Sequence, residues 1–118
     1  MTVDGIVVSV MVGNPAGVAV LKVSGYLDTT TATELERTIF ELVGRQEYKL
    51  VLDLSRVSYI SSAGWGIFIS EIKNIRNHGG DLKLSGMVGD VYEVFQLLEF
   101  HTILEAYDST GLAVAAFG

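Results

Sequence analysis

The sequence predicts an α/β domain: a mixed sheet of about five strands with helices packed against it. Three observations carry this expectation. The first two β-branched runs follow one another directly, as in an antiparallel hairpin; from residue 31 onward helical stripes and strand-like runs alternate; and one run is apolar at nearly every position, as a strand buried on both faces must be.

The elements follow in chain order. Val7 to Val12 and Val18 to Val23 flank Gly13-Asn14-Pro15-Ala16-Gly17, whose Gly, Asn and Pro are loop formers, so the pair reads as a hairpin. Ser24-Gly25-Tyr26-Leu27-Asp28 is rich in turn residues. Thr31-Ala32-Thr33-Glu34 then matches a capping box, in which Thr and Glu each satisfy an orphan backbone donor, and predicts a helix from about Ala32. Ala32, Leu35, Ile39, Leu42 and Val43 lie on one stripe of that helix, and Gly44 is placed to end it. Lys49 to Leu54 is too densely apolar to alternate and reads as the sheet centre. Ser55 to Ser61 reads as a loop. A second helical pattern runs from about Ala63 to Asn77, with Ile67, Phe68, Ile69, Ile72 and Ile75 as its apolar members, and Asn77-His78-Gly79-Gly80 stops it. Asp81 to Ser85 is a short strand, Val91, Val94, Phe95 and Leu98 mark a third helix, and Ile103 to Tyr107 is a last edge strand. The tail 109–118 has three open readings: a short helix packed on the domain, a segment paired with another chain, or a frayed end.

With 118 residues the chain is one domain, its core spanning about residues 5–108. A composition that is 49% hydrophobic excludes intrinsic disorder. The net charge of −6, from 8 basic and 14 acidic side chains, argues against a nucleic-acid partner, because binding a phosphate backbone needs a basic face. No apolar run is long enough to cross a membrane, and the start MTVDGIVVSV carries an acid where a signal peptide would be basic, so a soluble, cytoplasmic protein is expected. Absence of cysteine removes thiolate metal sites and cysteine nucleophiles, and two histidines are too few for most metal sites. Neither a Gly-x-x-x-x-Gly-Lys run nor a Rossmann fingerprint is present, so no cofactor is expected.

One segment looks like chemistry: Val51 to Gly66, a buried strand leading through Ser61 and Ser62 into a helix start. Both serines fall where N-cap residues belong, and the free N–H groups beyond them create a positive field suited to a phosphate. Ala63, Gly64 and Gly66 keep the first turn small, at about 1 kcal/mol of helix propensity per glycine. The residues alone support two readings: a turn open to another molecule, or capping serines and glycines that let a helix sit close to a sheet.

The stretch Leu52-Asp53-Leu54-Ser55-Arg56-Val57-Ser58-Tyr59-Ile60-Ser61-Ser62-Ala63-Gly64-Trp65-Gly66 resembles the signature of STAS domains, and in particular of bacterial anti-sigma factor antagonists. The similarity extends to the opening hairpin, the turn Gly25-Tyr26-Leu27-Asp28, and the region from Val94-Phe95 to Ile103-Leu104. The resemblance implies a protein-binding switch without catalysis of its own. Ser62 matches the family's phosphorylated serine. The implied partners are an anti-sigma factor that is also a serine kinase, bound by the unmodified chain so that a sigma factor is freed, and a metal-dependent serine phosphatase that reverses the modification. Asp28 matches an acidic residue beside the site and is assigned to partner contact, together with Ser61, Ser62, Ala63, Gly64 and Trp65. The chain departs from the family where Ser61 replaces a common Asp, which makes Ser61 a second candidate acceptor, and where Ala63 replaces a frequent second serine. Within the same resemblance, the alternative is an unphosphorylated scaffold in a larger signalling or transporter-associated complex.

Trp65 stands where the family usually has leucine, and it reads either as an inward-packed side chain or as an exposed interface anchor. Asp53 is expected to cap its loop, and His78 and His101 to serve structure near helix ends. A serine hydrolase is the remote enzyme reading. It lacks the glycine two residues before the serine, and its only candidate bases are those two histidines.

Overall fold

A computed structural model describes residues 2–3, 5–12 and 17–117. Among the described residues, six strands form one sheet whose spatial order follows the chain: β1 (Thr2–Val3), β2 (Ile6–Met11), β3 (Ala19–Leu27), β4 (Lys49–Ile60), β5 (Asp81–Ser85) and β6 (Glu105–Tyr107). The β1–β2 and β2–β3 pairs are antiparallel and the other three are parallel. The expected α/β class and hairpin are therefore present, with one short strand, β1, beyond the expected set. Of the hairpin's predicted turn, residues 13–17, all but Gly17 lie outside the described residues.

Each parallel step passes through a helix: α1 (Thr31–Gly44), α2 (Ser62–Asn77), and α3 (Gly89–Leu97) followed by a 3-10 turn at Phe100–Thr102. Crossovers of one hand place successive helices on one face of a sheet. Leu21, Leu52 and Leu84 from three adjacent strands pack there with Leu35, Ile39, Phe68, Ile72 and Phe95 of the helices. Val20 and Val51, the residues next in line along β3 and β4, point to the opposite face and pack with Ala113 of α4 (Thr110–Ala115). That alternation explains the unbroken apolar run in β4: Leu50, Val51 and Leu52 are all fully buried, under different layers.

The tail thus packs as a short helix. Ser109 caps it, its Oγ accepting the Leu112 N–H at 3.2 Å, and Lys83 holds the same corner. This lysine is 5% exposed, its Nζ lying 3.2 Å from Asp81, 3.0 Å from Glu105 and 4.9 Å from the centre of the Phe117 ring.

Two local expectations are corrected. The loop predicted at Ser55 to Ser61 is strand as far as Ile60, because β4 carries two bulges. Where β3 advances from Lys22 to Ser24, β4 advances from Asp53 to Arg56, and where β3 advances from Gly25 to Tyr26, β4 advances from Val57 to Tyr59. Each extra residue reverses which face the following side chains meet, so the inward positions Leu54, Val57 and Ile60 lose the period of two that betrays a strand. The capping box also sits three residues earlier than predicted. Asp28 Oδ1 accepts the N–H groups of Thr30 and Thr31, each at 2.9 Å, and the Thr31 hydroxyl accepts the Asp28 N–H at 2.9 Å. Glu34 pairs with Arg37 instead.

Candidate functional site

The ends of β3 and β4 are paired in register, Leu27 beside Ile60, so the helix starts that follow them open at the same sheet edge. Asp28 begins one. Ser61 begins the other, anchored by its N–H to the Leu27 carbonyl at 2.7 Å.

Ser61 has extended backbone angles, φ −77° and ψ 172°, and its Oγ accepts the Gly64 N–H at 3.3 Å, which makes it the N-cap of α2. Ser62 is the first helical residue, exposed, and its hydroxyl takes part in no hydrogen bond among the described residues. The two serines that looked equivalent in sequence therefore divide the work. Ser61 holds the helix end, and Ser62 presents a free hydroxyl in the positive field of the first turn. Ser61→Ala should lower stability by about 1 kcal/mol, whereas Ser62→Ala should leave it nearly unchanged. Urea denaturation of both variants checks this.

The glycines also separate. A Cβ on Gly64 would come within 2.8 Å of Ile60 Cγ2 and 3.2 Å of Leu27 Cβ, so the glycine lets α2 lie directly on the strand ends. Gly66 has nothing within 4 Å and faces outward. Gly64 thus serves the close packing of helix on sheet, while Gly66 leaves its side of the first turn uncovered among the described residues. Ala63 is half-buried.

Trp65 packs inward at 3% exposure, stacked on Phe100 with ring centroids 4.8 Å apart and edge-on to Phe68 at 5.7 Å. As an exposed anchor it is corrected: α2 needs a large side chain here to reach the aromatic residues of α3 and the 3-10 turn. Its buried Nε1–H has no hydrogen-bond partner among the described residues.

Asp28 is half-buried beside this edge. The Thr31 N–H holds its carboxyl below the usual carboxylate range, helped by the Thr31 hydroxyl and the Thr30 N–H and opposed by partial burial. A depressed folded-state pKa contributes stability that is fully present above the unfolded value and is lost as pH falls through the folded one. The wild-type urea midpoint should therefore drop below the ordinary carboxylate pKa of 3.8 more steeply than that of Asp28→Asn, which keeps a capping oxygen but does not titrate.

Asp53 caps no loop, because β4 continues past it; its Oδ1 accepts the Ser55 N–H at 3.0 Å and hydroxyl at 2.7 Å within the strand. His78 caps the far end of α2, its Nδ1 2.9 Å from the Asn74 carbonyl and its ring stacked on Tyr48. Because α2 is 16 residues long, that imidazole lies about 24 Å along the helix from Ser62 and cannot serve it as a base. His101 sits in the 3-10 turn against Phe95, with ring centroids 6.5 Å apart.

Absent from the sequence reading is an apolar groove of about 390 Å³ between the end of β4 and α3, beginning at Ile60, two residues before Ser62. Its outer side chains, Tyr59 at 57% and Leu97 at 77% exposure, lie outside every periodic stripe, a signal they share with Phe40 of α1.

Comparison with known proteins agrees with this architecture. A family model described as the STAS domain matches residues 9–113. BtrV of Bordetella bronchiseptica is 34% identical over 86% of this chain and 87% of its own. The anti-sigma-B factor antagonist of Listeria monocytogenes is 27% identical over 75% of this chain and 78% of its own. Among solved structures, an anti-sigma factor antagonist from Mycobacterium paratuberculosis superposes with a TM-score of 0.86 at 26% identity, covering 97% of this chain and 95% of that one.

Proposed function

The chain belongs to the STAS domain family, and we propose that it is an anti-sigma factor antagonist switched at Ser62. Unmodified, it binds an anti-sigma factor that is also a serine kinase and so releases a sigma factor. Phosphorylation of Ser62 ends the complex, and a metal-dependent serine phosphatase restores it. The chain is a cytoplasmic binding module in this reading, with no catalysis of its own.

The observation that carries the proposal is the division between the serines: Ser62 is exposed and unbonded while Ser61 supplies the cap. A kinase can therefore take the Ser62 hydroxyl without opening the helix. The resulting phosphate adds about −1.5 to −2 charges next to free N–H groups of α2, which stabilise it in the isolated domain. In a complex the same dianion faces a partner surface shaped for a neutral hydroxyl, and its desolvation and repulsion break the contact. Ser61 is the poorer acceptor, because phosphorylating its Oγ disturbs the bond to Gly64.

The test is peptide-mapped mass spectrometry after incubation with ATP, Mg²⁺ and lysate of the native cell, with folded Ser62→Ala in parallel. One phosphate on Ser62, absent from the variant, is the expected result. No phosphate from a lysate whose kinases modify a control substrate would reject the switch.

A further inference from the structure

We propose that the groove between β4 and α3 is a second contact point for the same partner, taking an apolar side chain that the anti-sigma factor presents next to a lysine or arginine. This rests on the antagonist reading and extends it from a single serine to a two-point interface.

Three features point to such an occupant. The groove is lined by the buried side chains Ile60, Trp65 and Val91, and its outer side chains Tyr59 and Leu97 are among the most exposed apolar groups described. An aliphatic group entering it would leave water on all sides, and contacts of this kind dominate binding energy. The charged side chains that line it, Asp90 and Glu93, are both acidic, so the complementary segment is basic. Finally, the groove borders the proposed switch: Ile60, which lines it, lies two residues before Ser62, and Trp65, another of its walls, lies three residues after, so a partner surface that covers the serine lies next to the groove.

Leu97 and Glu93 are exposed and four residues apart on α3, so both can be changed without disturbing the core. The test titrates the full chain with the purified anti-sigma factor of the same cell, following heat and the emission of Trp65, the single tryptophan and a wall of the groove. Leu97→Ser and Glu93→Lys are each expected to weaken binding about tenfold. Phe40→Ser, which removes a side chain 73% exposed on α1, is expected to bind like wild type. Trp65 emission should shift when wild type binds, and urea midpoints should match across the variants.

Normal affinity in both groove variants would overturn the groove and leave the antagonist reading intact. Equal weakening by Phe40→Ser would overturn it as well. Absence of binding by wild type would reject the antagonist reading and the groove together. Trp65 emission that changes with the chain's own concentration, without partner, would place a second copy in the groove and overturn the proposed occupant.

Discussion

Ser62→Asp is expected to weaken the complex with the anti-sigma factor at least about hundredfold, because an unpaired charge buried at an interface costs about 3–5 kcal/mol and each 1.4 kcal/mol is a factor of ten. The effect belongs to the charge and not to side-chain size. Ser62→Asn, nearly the same shape and neutral, should therefore keep most of the affinity, and Ser62→Ala should keep it too. The fold is not expected to change in any of the three, since Ser62 is exposed and supplies no cap. A carboxylate at the first helical position is favourable to α2 by about 0.3–1 kcal/mol, so Ser62→Asp should be as stable as wild type or slightly more so. Calorimetric titration together with thermal unfolding separates the two quantities. Equal loss of affinity in Ser62→Asn and Ser62→Asp would show that bulk decides, and the electrostatic account would fail.

Trp65→Ala should lower stability by about 3–5 kcal/mol, the range for emptying a large aromatic from a core. That is a large share of the roughly 5–15 kcal/mol that holds a domain of this kind together. The indole ties α2 to Phe95 of α3 and Phe100 of the 3-10 turn, so its loss loosens the walls of the groove as well as the helix packing. Trp65→Phe should be much milder. It keeps an aromatic face for Phe100 and removes the buried Nε1–H that has no partner among the described residues, a group whose desolvation works against the folded state. Urea denaturation followed by circular dichroism measures both, since the tryptophan signal is absent from the variants. A loss below about 1 kcal/mol in Trp65→Ala would contradict the buried aromatic cluster.

These expectations draw on different levels of the molecule. The three long helices were legible as stripes because a helix that covers a sheet must bury every third or fourth side chain, and Leu35, Ile39 and Leu42 or Phe68, Ile72 and Ile75 repeat that interval. The run Leu50-Val51-Leu52 announced a strand covered on both faces, since no exposed strand carries so little polarity. The helix start at Ser61 and Ser62 was legible for a related reason: hydroxyls followed by small residues are local chemistry, readable within a few positions.

Chain-local chemistry could not decide which serine caps and which faces solvent. That depends on the Leu27 carbonyl, 34 positions earlier, which fixes the Ser61 N–H and so sets where α2 begins. The bulges of β4 arise from its fit to β3, the cap of α1 moved to Asp28 because β3 ends there, and the groove beside Ile60 exists because α3 returns over the end of β4. Trp65 shows the limit most clearly, for its residue type suits a core and an interface equally well. Periodicity, composition and capping are properties of neighbours along the chain and are written in it. Exposure, register and the shape of a surface are set by segments distant in sequence, and they come into being only when the sheet closes and the helices pack on it.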